Sequence, residues 1–70
     1  MIREPVSSSN LVSVGYDSES QILEVEFKGG AIYQYSGVPE AVLAGLMAAS
    51  SCGSYLQQHI KGHYSYVRVE

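Results

Sequence analysis

The sequence predicts an α+β domain. A three-stranded antiparallel β-meander, with room for a short fourth strand near its end, packs against two short helices. Three observations predict it. Leu23, Val25 and Phe27 alternate with Glu24, Glu26 and Lys28, the period-two pattern of a half-buried strand. Gly29-Gly30 follows at once and signals a hairpin, because glycine accepts positive φ. Val42, Leu43, Leu46 and Met47 then recur at helical spacing behind Val38-Pro39-Glu40. Proline suits the first helical position, and an acid suits the positive end of a helix.

The elements follow in order. Residues 1–8 lack periodicity and contain Pro5; a flexible N-terminal arm is expected there, with a single domain over 9–70. From Asn10 to Asp17, Val12, Val14 and Tyr16 alternate with Leu11, Ser13 and Gly15. Asp17-Ser18-Glu19-Ser20 is turn-like, and Gln21 to Lys28 is the second strand. Ala31 to Ser36 returns antiparallel. A two-residue loop would pair Phe27 with Ile32 and turn Tyr33 and Tyr35 toward the glutamates. A three-residue loop, Lys28 to Gly30, pairs Phe27 with Ala31, Val25 with Tyr33 and Leu23 with Tyr35. A one-residue slip inverts the face; the second register matches apolar with apolar and is favoured.

The helix from Pro39 to Ala49 has almost no polar face beyond Glu40, so it is expected to be buried on most sides or to meet a partner. Ser51 or Ser54 can cap a second helix carrying Tyr55, Leu56 and Ile60, which Gly62 ends. Tyr64 to Val69 alternates and suits a short final strand.

Composition narrows function. A 70-residue chain builds one small core, and a lone cysteine, Cys52, cannot form an internal disulfide. That cysteine and the absence of an apolar leader favour a cytoplasmic protein. The apolar stretch Ala41–Ala49 is far shorter than the roughly 20 residues of a membrane span, so no membrane role is expected. Four Lys/Arg against seven Asp/Glu give a formal net charge of −3, an unusual balance for an electrostatic nucleic-acid binder. Two of the four, Lys61 and Arg68, lie with His59 and His63 in the last dozen residues, where they form a local basic cluster.

The order of Ser9-Asn10-Leu11, Gly15-Tyr16-Asp17, Leu23-Glu24-Val25-Glu26-Phe27, Tyr33-Gln34-Tyr35, Val38-Pro39, Ala49-Ser50, Gly53-Ser54-Tyr55 and Ile60-Lys61 resembles the KTSC domain. That domain occurs at the C-terminus of some lysyl-tRNA synthetases and as a stand-alone bacterial or phage-associated protein. The resemblance covers roughly residues 7 to 69. It implies a small sheet-plus-helix domain with a central Tyr-x-Tyr; the attachment to a synthetase suggests an RNA-binding role, and the resemblance brings no catalytic residues.

Tyr33 and Tyr35 share one side of a strand. They form either a stacking platform for nucleobases or part of the core beside Leu23 and Val25. Lys61, His63 and Arg68 are the candidates to hold phosphates, and the Tyr64–Arg68 segment is a second place for stacking. Val42, Leu43, Leu46 and Met47 are the candidates for a protein partner or a second copy. His59 and His63 have the spacing of a helical metal pair, but Gly62 intervenes and no third ligand is apparent, so no metal site is expected. Cys52 and His59 on one helix would stand about 10 Å apart, too far for a nucleophile and its base. Glu24 and Glu26 share a strand face and read as solubilising. The expectation is therefore a binding module without catalysis or cofactor. Its partner is RNA (tRNA or single-stranded) or, alternatively, a protein that docks on helix 41–49 and a sheet edge.

Overall fold

The computed structural model describes residues 3–6 and 10–70. An antiparallel sheet of five strands runs in chain order: β1 (Arg3–Pro5), β2 (Leu11–Asp17), β3 (Ile22–Phe27), β4 (Ile32–Tyr35) and β5 (Tyr66–Arg68). Two helices, α1 (Glu40–Ala48) and α2 (Cys52–Tyr55), cover one face, and α2 continues as a π-helical turn over Leu56–Ile60. The α+β class, the central meander and the short final strand are as expected, and β1 is added at the opposite edge.

The added strand β1 corrects the expected arm. Arg3, Glu4 and Pro5 pair with Gly15, Val14 and Ser13; residues 1, 2, 7 and 8 of that arm lie outside the described residues. Proline is tolerated because β1 is an edge. Arg3 anchors the strand. Opposite it stands Gly15, which has no side chain, so the guanidinium crosses β2 and reaches β3. There Nε lies 3.5 Å from Glu24 and Nη2 lies 3.8 Å from Glu26. Glu24 also accepts from Gln34 Nε2 at 2.8 Å, and Glu26 from the Ser13 hydroxyl at 3.0 Å. The face of the sheet away from the helices is thus a connected polar surface.

The strand β2 departs from simple alternation. Pairing passes from Leu11↔Phe27 to Ser13↔Glu26, so Val12 is an extra residue, a β-bulge. The bulge turns both Leu11 and Val14 toward the helices and leaves Val12 39% exposed. The expected grouping of Val12 with Val14 and Tyr16 is corrected accordingly.

The hairpin β3–β4 adopts the three-residue loop. Phe27 N–H donates to Ala31 O at 2.8 Å and Gly30 N–H to Phe27 O at 3.1 Å. Gly29 and Gly30 have φ of 101° and 97°, values that L-side chains disfavour. Leu23 therefore faces Tyr35, and Val25 faces Tyr33. Leu11, Val14, Leu23, Val25 and Tyr35 supply the sheet side of the core; Val38, Leu46, Cys52, Leu56 and Ile60 supply the helical side.

Val38 enters the core on two tethers. Its N–H donates to Gln21 O at 2.9 Å, and its carbonyl accepts from the Tyr16 hydroxyl at 2.6 Å. The helix that follows is not buried on most sides. Leu46 alone in α1 is fully buried, while Ala41, Ala44, Met47 and Ala48 face solvent. A helix of small side chains can lie on a sheet without burying its outer surface. Ser51 caps α2, its hydroxyl accepting from Ser54 N–H at 3.3 Å. The π-turn closes through Lys61 N–H to Leu56 O at 2.7 Å, and Gly62, at φ 85°, ends it.

The two helices meet where Gly45 lies under Tyr55. A Cβ at position 45 would overlap the Tyr55 hydroxyl and come within 2.7 Å of its Cζ. Gly45→Ala is expected to lower the melting temperature despite the roughly 1 kcal/mol that alanine gains in helix propensity, because overpacking costs about 1–3 kcal/mol. In a Tyr55→Ala background the same substitution should raise it. Thermal melts of the four proteins check the reversal.

Burial raises the hydroxyl pKa of Tyr35, and neighbouring Tyr33 and Tyr66 add to the effect. A folded-state value above the unfolded value of about 10 means that the native state holds its proton more tightly. This contribution to stability is complete below about pH 10 and is lost as pH rises through the folded-state value. Denaturant titrations above that pH should show stability falling, with a shallower fall in Tyr35→Phe.

Candidate functional site

Side-chain alternation on β5 builds the site. Tyr35 pairs with Tyr66 and Tyr33 with Arg68, so Tyr66 and Arg68 point to the helix side of the sheet, beyond the area that the helices cover. Three rings form a row from hairpin to edge. Phe27 meets Tyr33 edge-on, with centroids 5.3 Å apart and planes at 71°; Tyr33 stacks on Tyr66 at 5.1 Å and 3°. Phe27 and Tyr33 are half-buried, and Tyr66 at the sheet edge is 55% exposed.

At the inner end of the row Phe27 also walls a cleft of about 260 Å³, between the hairpin and the second helix. Leu11 and Leu56 share its apolar lining; Lys28, Lys61 and Gln57 stand at its rim. Lys28, Lys61 and Arg68 therefore lie along one aromatic surface, whereas Arg3, the remaining cation, is held by glutamates on the opposite face. Arg68 Nε donates to the Glu70 carbonyl at 2.8 Å, and the residue stays exposed.

The sequence-based candidates separate. Tyr35 is 1% exposed, so its ring is core and offers no face to a ligand; this corrects its place in a stacking platform. Tyr33 has one ring face committed to Tyr66. Lys61 and Arg68 flank the aromatic row. His63 is exposed, with Nε2 against the Gln58 carbonyl at 3.1 Å, and His59 lies on Tyr55 at 4.4 Å between centroids. Among the described residues no three His, Cys, Asp or Glu converge as a metal site would require. Cys52 is buried, with its thiol 3.6 Å from Leu46 O.

Of the candidates for partner contact, Leu46 is fully buried and is corrected to a core residue. Val42 and Leu43 are half-buried, and Met47 is 42% exposed. Met47 and Leu43 border a second cleft, of about 360 Å³, with Tyr16 and Glu4. No helix is long and apolar enough to cross a membrane among the described residues.

Lys28 and Phe27 were missing from the sequence-based candidates. The signal for Lys28 was present in the favoured hairpin register, which puts it in the loop. Its proximity to Lys61 depends on how the second helix crosses the hairpin, and no local pattern carries that.

The KTSC domain profile matches residues 7–64. The crystal structure of a KTSC domain protein from Yersinia pestis superposes with a TM-score of 0.93 at 40% identity, covering 99% of this chain and 97% of that one. An uncharacterized protein of Stutzerimonas stutzeri is 48% identical over the full length of both chains. A lysine–tRNA ligase of Trichormus variabilis is 41% identical over 54 residues, which are 77% of this chain and 10% of the ligase. With its profile, fold and full-length relatives in agreement, the chain belongs to the KTSC domain family.

Proposed function

We propose that this domain is a non-catalytic module that binds single-stranded RNA along the row Phe27, Tyr33 and Tyr66. Bases stack on the open face of Tyr66, and Arg68 and Lys61 hold phosphates. The observation that carries the reading is the exposed Tyr66 ring, propped parallel on Tyr33 with Arg68 on the same face. An aromatic ring fixed from behind presents a ready plane to a base without losing side-chain freedom on binding. Two of the seven acids, Glu24 and Glu26, lie on the other side of the sheet from this row and are held by Arg3. The related segment within ligases that charge tRNA adds support.

The geometry also supports a second reading, docking of a protein or a second copy on the outer face of α1. Exposed Met47 beside the second cleft favours it.

Fluorescence anisotropy with labelled single-stranded RNA tests the first reading. Binding should weaken with salt, with a log–log slope of about −1.4 for two phosphate contacts. Tyr66→Ala should cost about 1–3 kcal/mol, Arg68→Glu should flatten the slope, and Met47→Glu should change neither. No binding at low salt, or binding indifferent to Tyr66→Ala, rejects the reading. A concentration-dependent dimer in sedimentation that Met47→Glu abolishes would favour the second.

A further inference from the structure

We infer that the cleft between the hairpin and the second helix is a nucleotide pocket: it holds one base of the bound strand against the Phe27 ring, with the adjoining phosphate between Lys28 and Lys61. This inference rests on the RNA-binding reading for the strand, but the cleft has its own chemistry. Two of only four Lys/Arg in an acidic chain line one small cavity. They come from different elements, the hairpin loop and the residue after the π-turn, so the fold brings them together. Among the described residues neither lysine has a carboxylate partner, since Arg3 makes the ion pairs. Two like charges facing one cleft without a counter-charge favour an anion.

The rest of the cleft selects the class of anion. The half-buried Phe27 ring, backed by the buried Leu11 and Leu56, gives the cleft an aromatic wall suited to a flat ring rather than to a bare ion. Gln57, exposed at the rim, carries both a donor and an acceptor, which suits the edge of a base. A volume of about 260 Å³ lies below the range of about 300–1,000 Å³ of drug-sized pockets, so it suits one base, not two. Phe27 is shared by the cleft and the aromatic row, and Tyr66 is two ring-to-ring steps away, 5.3 and then 5.1 Å. A strand with one base in the cleft can continue to a base on Tyr66.

Titration of the isotope-labelled protein with adenosine monophosphate, followed by amide chemical shifts, tests the cleft apart from the strand. Shifts are expected at Lys28, Gln57 and Lys61. Adenosine alone and inorganic phosphate alone should each bind more weakly. Lys61→Glu should weaken the nucleotide about tenfold, by removing a charged contact. Gln57→Trp, at an exposed position, should block it. The inference is overturned if the nucleotide leaves the cleft amides unmoved, if phosphate alone binds as tightly, or if Lys61→Glu has no effect. RNA that binds without shifting these amides also overturns it while leaving the strand reading intact. A nucleotide that occupies the cleft of a protein that binds no RNA supports the pocket and removes the strand reading.

Discussion

One extra residue in the turn between β3 and β4 decides which way the central tyrosines look. Lys28 to Gly30 close the hairpin with two successive positive-φ glycines, and this sets Tyr33 and Tyr35 beside Val25 and Leu23. With a two-residue loop the same strand would turn both tyrosines toward Glu24 and Glu26, and Ile32 and Gln34 would fall against the helices. Everything on the helix side follows from the choice made at this turn. Tyr35 fills the core, Tyr33 reaches its edge, and β5 pairs on with Tyr66 and Arg68 on the same side. The aromatic row is an outcome of register, and the turn chemistry holds the register.

The same alternation separates charge. Glu24 and Glu26 must emerge on the far face, where they would repel each other and any anion nearby. Arg3 reaches them only because Gly15 leaves the intervening position empty. An apparent arm thereby becomes a fifth strand, and one cation is withdrawn from the surface. The remaining three lie along the rings. A net charge of −3 therefore describes the whole chain poorly as a guide to what any one face attracts, since screening limits charges to about 8–10 Å in physiological salt.

Much of this was legible in the sequence. Apolar matching across Gly29-Gly30 selects the observed register, Ser51 caps α2, and Gly62 ends the π-turn. The features that were not legible depend on partners distant in the chain. The bulge at Val12 exists relative to Phe27 and Glu26; no residue in β2 announces it. Arg3–Pro5 has too few apolar residues to read as a strand, and its anchor lies on β3. The exposure of α1 was hidden because alanine and glycine look buried in a pattern that lacks charged residues. In the site, Tyr-x-Tyr reads as an equivalent pair, yet one ring is core and the other is a support for Tyr66. Lys28 and Lys61 meet only after the second helix has crossed the hairpin.

Cross-strand proton contacts in solution test the register directly. In the antiparallel ladder that starts from the Phe27–Ala31 hydrogen bond, Glu26–Ile32 and Glu24–Gln34 are non-hydrogen-bonded pairs, with Cα atoms about 4.5 Å apart. Nuclear Overhauser spectra should show strong Hα–Hα peaks between these two pairs. Peaks joining Phe27 to Ile32 and Val25 to Gln34 instead would place Tyr33 and Tyr35 on the glutamate face and contradict the account.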